Sequence, residues 1–204
     1  MNDAFDEMVR VRQYRLGKRA ETTAATRRRI VEATLSLHDQ QGISGTSVRA
    51  IAGRAGVAPA TVLQHFPHMD ELVRACGELS DQLAPMPTEA IFVGTATVGE
   101  RIRCLSLALF RWWEQLGDGF DYLRIDRRHM PRVDAWFAVV SGRHRDLADA
   151  AFAGADSPKV DLLIALTSVD AWRVLRDAGM DAHRAAEQVA QLFTQAPDPR
   201  KAYH

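Results

Sequence analysis

Apolar side chains recur every three or four positions along most of this chain, which is the spacing of helices that bury one face. Ile30, Ala33 and Leu37 share such a face in a predicted first helix that Gly42 ends. No segment gives a convincing strand pattern. The sequence predicts an all-α fold of about nine helices, at residues 23–41, 48–55, 59–66, 68–84, 98–116, 120–130, 133–152, 158–178 and 181–195.

The most informative stretch is residues 46–66, which read TSVRAIAGRAGVAPATVLQHF. Two short helical patterns are joined here by a tight Ala-Gly-Val turn, with Gly56 ending the first helix and Pro59 in the first turn of the second. Val62 and Phe66 direct the second helix towards a core. Two helices joined by such a short turn form a helix-turn-helix, which presents side chains to the major groove of DNA.

In this stretch and its flanks the chain resembles the TetR family of one-component transcriptional regulators. The resemblance covers residues 26–72, about a quarter of the chain, and it is carried by Arg29, Ile30, Ala33, Leu37, Gly42, Thr46, Val48, Arg49, Ile51, Ala52, Arg54, Ala55, Gly56, Val57, Ala60, Thr61, His65, Phe66 and Leu72. It implies a homodimeric, ligand-responsive repressor of a near-palindromic DNA operator. It also implies a DNA-binding domain over residues 23–70, and a helical domain for ligand binding and dimerisation over residues 71–197.

Four positions depart from the usual pattern of the family. A Ser usually precedes the recognition helix where this chain has Ala58, and a Gly usually stands at Ala60. Leu63 replaces a Tyr, and Met69 replaces a Lys, that commonly contact phosphates. Because phosphate contacts supply much of the affinity for DNA, we expect binding that is weaker or that depends on other residues.

Residue chemistry and position in the motif select six candidates for DNA contact. Gln64 can form a bidentate pair with adenine, and Thr61 can touch a thymine methyl group or a phosphate. Arg49 matches a frequent basic position of the family. The hydroxyl and N–H groups at a helix start can meet a phosphate. The full set is Thr46, Ser47, Arg49, Thr61, Gln64 and His65, and the alternative for each is a solvated helix surface.

Charge is unevenly distributed, although the formal net charge is zero. Residues 1–66 contain ten Lys and Arg against six Asp and Glu, and the rest of the chain has the opposite excess. A basic head on an acidic body is typical of a DNA-binding module fused to another domain, unless the imbalance is chance. We interpret residues 1–22 as a flexible basic arm, which either lies along DNA or is an ordinary tail. Arg54 either contacts a phosphate or pairs with a nearby acidic residue.

Aromatic residues cluster in the C-terminal part of the chain. They either line a cavity for an apolar or aromatic effector or pack the core. The candidates for ligand contact are Arg103, Phe110, Trp113, Tyr122, Trp136 and Trp172. The two helices predicted at 158–178 and 181–195 are rich in Leu and Val and are the expected dimer surface. Residues 198–204 are predicted to be a tail.

Other functions have little support in the sequence. No HExxH, CxxC, GxSxG or glycine-rich phosphate loop occurs, so no catalytic residue, metal ligand or cofactor is predicted. Cys76 and Cys104 lack paired spacing, and no apolar run approaches the roughly 20 residues of a membrane span, so we expect a cytoplasmic protein. The alternative to a regulator is a small-molecule-binding or protein-interaction helical domain with a weakened DNA-binding head.

Overall fold

A computed structural model describes residues 3–153 and 159–194, with side chains from residue 18 onward. These residues form ten α-helices and no strand, which confirms the predicted all-α fold. The helices are α1 (Asp3–Gln41), α2 (Val48–Ala55), α3 (Pro59–His65), α4 (Met69–Leu83), α5 (Val98–Leu116), α6 (Gly119–Asp126), α7 (Pro131–Ala151), α8 (Lys159–Leu166), α9 (Val169–Asp177) and α10 (Ala182–Thr194). A 3₁₀ turn at Glu89–Phe92 lies in the segment predicted as a loop. No helix in the described part of the chain combines the length and apolarity needed to cross a membrane.

The chain divides into two compact units, Met1–Leu83 and Ala84–His204. The N-terminal unit contains all of α4, which extends past residue 70, where the sequence analysis placed a domain boundary. The reason is packing: Leu72, Ala75 and Cys76 of α4 lie in one buried cluster with Ile30 and Val31 of α1. The last residues of the predicted C-terminal domain, from 195 on, and the predicted tail lie outside the described residues.

The helix start predicted at residue 23 is wrong, because α1 begins at Asp3. Residues 3–22, interpreted from sequence as a flexible arm, are the first turns of this helix. They contain four Arg, one Gly and no Pro, and Arg favours helix without any buried face. Residues 18–25 are all exposed, so the period of apolar residues gave no sign of a helix there.

The C-terminal unit is built around α5, whose N-terminus has a complete capping box. Thr97 accepts a hydrogen bond from the backbone N–H of Glu100, and the Glu100 carboxylate accepts in return from the N–H of Thr97. The backbone N–H of Ala96, which also donates to this carboxylate, and then that of Thr97 lower the pKa of the Glu100 carboxyl group. Helix α10 packs along α5 through alanines, and a methyl group placed on Gly99 would lie 2.6 Å from Cγ2 of Thr194. The two helices therefore approach closely.

The single helix predicted at 158–178 is wrong, because the chain breaks between α8 and α9. The break falls at Thr167 and Ser168. Ser168 has extended backbone angles and caps α9 by accepting a hydrogen bond from the N–H of Ala171. The Thr167 hydroxyl donates to the carbonyl of Leu163 at 2.7 Å. Side chains that bond their own backbone in this way favour helix ends over helix interiors.

Candidate nucleic-acid interface and C-terminal aromatic core

Helix α2 is fixed at both ends by the residues that the sequence singled out. Ser47 is its N-cap and accepts a hydrogen bond from the N–H of Ala50 at 3.2 Å. The hydroxyl of Thr46 donates to the carbonyl of Gly42 at 2.7 Å and accepts from Nε2 of Gln41 at 3.5 Å, so one lone pair remains for an incoming group. Gly56 ends the helix at φ 64°, a left-handed angle that suits glycine.

Helix α3 presents a short outward surface. Val62 is fully buried in the helix, as is Phe66 directly after it, and these two residues set its orientation. Gln64 is exposed, while Thr61 and His65 are half-buried on one flank. Ala58 makes no side-chain capping bond, and Pro59 occupies the first turn. The helix is therefore oriented by packing from within the N-terminal unit, without a cap.

Two arginines near α2 differ in what they contact. Arg54 donates from Nη1 to Oγ of Ser36 at 2.6 Å and from Nη2 to Oε1 of Gln40 at 2.8 Å. It therefore joins α2 to α1. Arg49 is exposed and has no hydrogen bond or ion pair among the described residues. Its guanidinium is available to a partner such as a phosphate.

Arg27, Arg28 and Arg29 lie well inside α1. The guanidinium carbon of Arg27 lies 4.5 Å from the centroid of the Phe66 ring, a cation–π contact that joins α1 to the end of α3. Arg28 pairs with Glu32 at 2.8 Å on the helix surface. The first two arginines thus have partners within the N-terminal unit.

Comparison with known proteins identifies the motif. Residues 30–76 match the family of bacterial regulatory proteins described as the tetR family. This chain carries a TetR-family DNA-binding domain. The match confirms the resemblance stated from the sequence, and its span runs from the core residue Ile30 to the buried Cys76 of α4.

Two solved structures share the fold over most of the chain. The multidrug binding protein EbrR complexed with imidazole is 23% identical, covers 81% of this chain and 88% of its own, and has a TM-score of 0.53. The EbrR complex with malachite green is 19% identical, covers 82% and 95%, and has a TM-score of 0.51. The likeness in fold therefore extends beyond the residues that match the family.

The structure brings some of the proposed ligand residues of this chain together. Phe110 of α5 and Trp172 of α9 are both buried and stack with centroids 5.0 Å apart at an interplanar angle of 20°. Trp113 contacts the Phe120 ring at 5.2 Å, and Trp136 contacts the same ring at 6.3 Å. A chain of rings therefore links α5, α6 and α7.

The remaining ligand candidates lie elsewhere. Arg103 is exposed on α5, and Tyr122 is 37% exposed on α6; neither has a ring contact in the described part of the chain. The indole Nε1 of Trp172 is buried and has no hydrogen-bond partner among the described residues. An unpaired buried donor costs free energy, so this atom is the one polar feature of the stack that a ligand could satisfy.

A polar network lies beside the rings. His144 of α7 is 6% exposed, and its Nε2 lies 2.8 Å from the hydroxyl of Thr167. Because that hydroxyl donates to Leu163, it must accept from an Nε2–H tautomer of His144. The Thr167 carbonyl accepts from Nε1 of Trp113 at 3.0 Å. Burial, and to a lesser extent the charge of Arg145, lowers the pKa of His144 to about 4.

The sequence analysis missed Thr167 and Ser168. A signal was present, because Ser168 is followed two residues later by Asp170, and a Ser cap with an acidic first turn is typical of a helix start. The apolar residues on either side follow one continuous helical period. That continuity made a single helix the simpler interpretation.

Proposed function

We propose that the protein is a homodimeric, ligand-responsive repressor that binds a near-palindromic DNA operator through α2 and α3. The observation that supports this proposal most is the helix-turn-helix geometry, with an exposed, unpaired Arg49 on α2 and an exposed Gln64 on α3. A basic side chain without a partner suits a phosphate, and an outward amide suits a base edge. Arg54 is assigned to contacts within the protein, since its donors already bond α1.

Thr61 and His65 are proposed as flanking contacts on the same helix. Thr46 and Ser47 are proposed to meet the backbone of the duplex at the start of α2. The cap formed by Ser47 leaves its side chain exposed, and a helix start favours an anion. Sequence preference is therefore assigned to α3, and most of the salt-dependent affinity is assigned to α2 and the basic part of α1.

The test is DNA binding of the full chain to duplexes from the flank of its own gene over a range of salt concentrations. Arg49→Ala should weaken binding to all sequences and lower the salt slope by about one unit, as loss of a phosphate contact does. Gln64→Ala should instead relax preference at one base pair per half-site, at a cost of about 1–3 kcal/mol. If Arg49→Ala altered the sequence preference and Gln64→Ala did not, the two roles would be assigned wrongly.

The proposed dimer rests on apolar side chains of the last helices that the chain itself leaves exposed. Leu162 of α8 is 52% exposed, Val174 of α9 is 70% exposed, and Leu192 of α10 is 64% exposed. Large apolar side chains on three consecutive helices suit a surface covered by a second copy. Such a dimer would place two recognition helices on two half-sites of one operator.

The dimer is tested by light scattering at micromolar concentration. The native chain should give about twice the 22.7 kDa mass of one copy. The double variant Leu162→Asp, Val174→Asp should give the mass of one copy and should bind the operator more weakly. Val139→Asp is the matched control, because Val139 is 54% exposed on α7 of the same unit, outside the proposed surface. A native mass near 22.7 kDa would refute the dimer.

We propose further that the effector is an aromatic molecule that binds at the stack of Phe110 and Trp172. The EbrR complexes contain imidazole and malachite green, which are both aromatic. The unpaired Nε1 of Trp172 favours a ring compound that also carries a hydrogen-bond acceptor. The effector would favour a conformation of the dimer that does not fit the operator. It need only bind this conformation better than the DNA-binding one by a few kcal/mol to shift the population.

Benzophenone and diphenylmethane form a matched pair of probes, since only the former has a carbonyl acceptor. Benzophenone should quench tryptophan fluorescence at lower concentration than diphenylmethane. Trp172→Phe keeps a ring beside Phe110 but removes the N–H, so it should abolish the difference, which is about 2- to 10-fold for one hydrogen bond. Equal binding of the two probes by the native chain would contradict this role of Trp172.

A second candidate function is a small-molecule-binding or protein-interaction domain whose DNA-binding head is weakened. Ala58 gives α3 no side-chain cap, and Leu63 and Met69 stand where the family commonly has phosphate ligands. This candidate predicts ligand binding by the C-terminal unit without salt-dependent, sequence-specific DNA binding. The assay with Arg49→Ala and Gln64→Ala separates the two.

A further inference from the structure

The outward surface of α3 carries an apolar patch that the proposed contacts do not use. Leu63 is 48% exposed, although it belongs to a helix of the N-terminal core. Ala60, one turn earlier, is exposed as well. Since a helix turns by 100° per residue, Ala60 and Gln64 lie nearly opposite the buried Val62, and Leu63 lies between that outer line and one edge of the core.

The same surface has no formal charge. The seven residues of α3 read PATVLQH and contain no Lys, Arg, Asp or Glu. Guanine is commonly recognised by a bidentate Arg or Lys, and cytosine by an acidic acceptor. Helix α3 offers neither group, so its chemistry does not suit direct contact with G·C pairs.

The groups that α3 does present match an A·T pair. Gln64 can bond the N6 and N7 atoms of adenine. The C5-methyl group of thymine is the apolar feature of the major-groove edges, and apolar side chains recognise it by contact. Leu63 is next to Gln64 in sequence and Ala60 lies about one helical turn from it, so amide and methyl contacts can fall on neighbouring base pairs.

We propose that Leu63, with Ala60, recognises thymine through its methyl group, and that α3 therefore selects A·T pairs at the centre of each half-site. This inference rests on the proposed DNA-binding function. It gives Leu63 a role in specificity in place of the phosphate contact that the family commonly makes at this position. It also explains why position 63 is a Leu although the core does not require one, since Val62 and Phe66 already fill the interior.

The experiment begins with full-length protein and a pool of duplexes that have a randomised core. The enriched half-sites should contain A·T pairs with thymine at a fixed position. Binding is then measured to the enriched duplex and to the same duplex with deoxyuridine, which lacks the methyl group, at that position. The native chain should bind the deoxyuridine duplex about fourfold more weakly for each methyl group that it covers.

Leu63→Ala should weaken binding to the thymine duplex, and its preference for thymine over deoxyuridine should be much smaller than that of the native chain. Leu83→Ala is the matched control, because Leu83 is 67% exposed at the end of α4, away from α3 in sequence. This control should keep the full preference for thymine. Thermal unfolding of each variant shows that the fold is intact.

Three results would overturn the inference, and they differ in what else they affect. Enriched half-sites of G·C pairs, or equal discrimination by Leu63→Ala and the native chain, would refute thymine recognition while leaving DNA binding in place. Absence of any enriched sequence would refute the proposed operator binding together with it.

Discussion

The buried histidine of the C-terminal unit makes stability depend on pH in a window that can be calculated. Burial lowers the pKa of His144 to about 4, from 6.5 in an exposed site. Between these two values the unfolded chain binds a proton that the folded chain excludes. The contribution of His144 therefore leaves the free energy of unfolding at its full value above about pH 6.5. The free energy falls as the pH drops below 6.5, and this fall levels off below about pH 4.

The magnitude follows from the width of this window. Each pH unit within it costs about 1.4 kcal/mol, so the total over the window is about 3 kcal/mol. His144→Gln removes the titrating group and keeps an amide donor for the hydroxyl of Thr167. The variant should therefore lose much less stability between about pH 7 and pH 4.5 than the native chain.

The assay is urea unfolding at several pH values, followed by tryptophan fluorescence. Trp112, Trp113, Trp136 and Trp172 are the four tryptophans of the chain, and all lie in the C-terminal unit, so the signal reports this unit. Carboxyl groups titrate equally in both proteins and cancel in the difference. His129→Gln, an exposed site in the same unit, is the control. If the free energies of unfolding of the native chain and of His144→Gln differed by a constant amount from about pH 7 to pH 4.5, the reasoning would be refuted.

Four further predictions follow from other parts of the structure. Gly45→Ala should destabilise the N-terminal unit by about 1–3 kcal/mol, because the new methyl group would lie 2.3 Å from a backbone oxygen. Gly53→Ala, in open space on α2, should instead stabilise this unit by up to about 1 kcal/mol. Amide exchange in α2 measures both effects. Ser168→Ala should cost about 1 kcal/mol in the fluorescence assay, through loss of the α9 cap. Arg54→Ala should speed amide exchange in α2, whereas Arg49→Ala on the same helix should not. Deleting residues 1–19 should lower DNA affinity and the salt slope with an intact core, and an unchanged slope would mark them as a passive extension.

Sequence periodicity predicts helices well where a helix buries one face, and less well where it does not. The bounds predicted for α5 agree with the structure, because its apolar residues and its flanking Thr and Gly residues give the same limits. The start of α1 was missed because residues 18–25 are all exposed, so the helix there depends on backbone propensity and leaves no apolar period in the sequence. The break at Ser168 was missed for the opposite reason, since apolar periodicity continues through it.

At the proposed DNA interface, sequence could supply the motif but not the partners of each side chain. Arg49 and Arg54 have the same chemistry and lie on the same short helix. Only the structure separates them, because Arg54 bonds Ser36 and Gln40 across a gap of 14 to 18 residues, while Arg49 has no partner in the described part of the chain. Long-range contacts of this kind leave no periodic trace in a sequence.

The same reasoning decides which apolar residues can belong to a dimer surface. A Leu that packs inside its own chain and a Leu that faces a partner follow the same helical period. In the structure Leu163, Val169 and Val189 of the last three helices are buried within the chain, although apolar periodicity alone does not separate them from exposed neighbours. A charge at any of these would disrupt the fold itself and report nothing about association. Exposed positions such as Leu162 are the ones where a charged substitution separates loss of the dimer from loss of the fold.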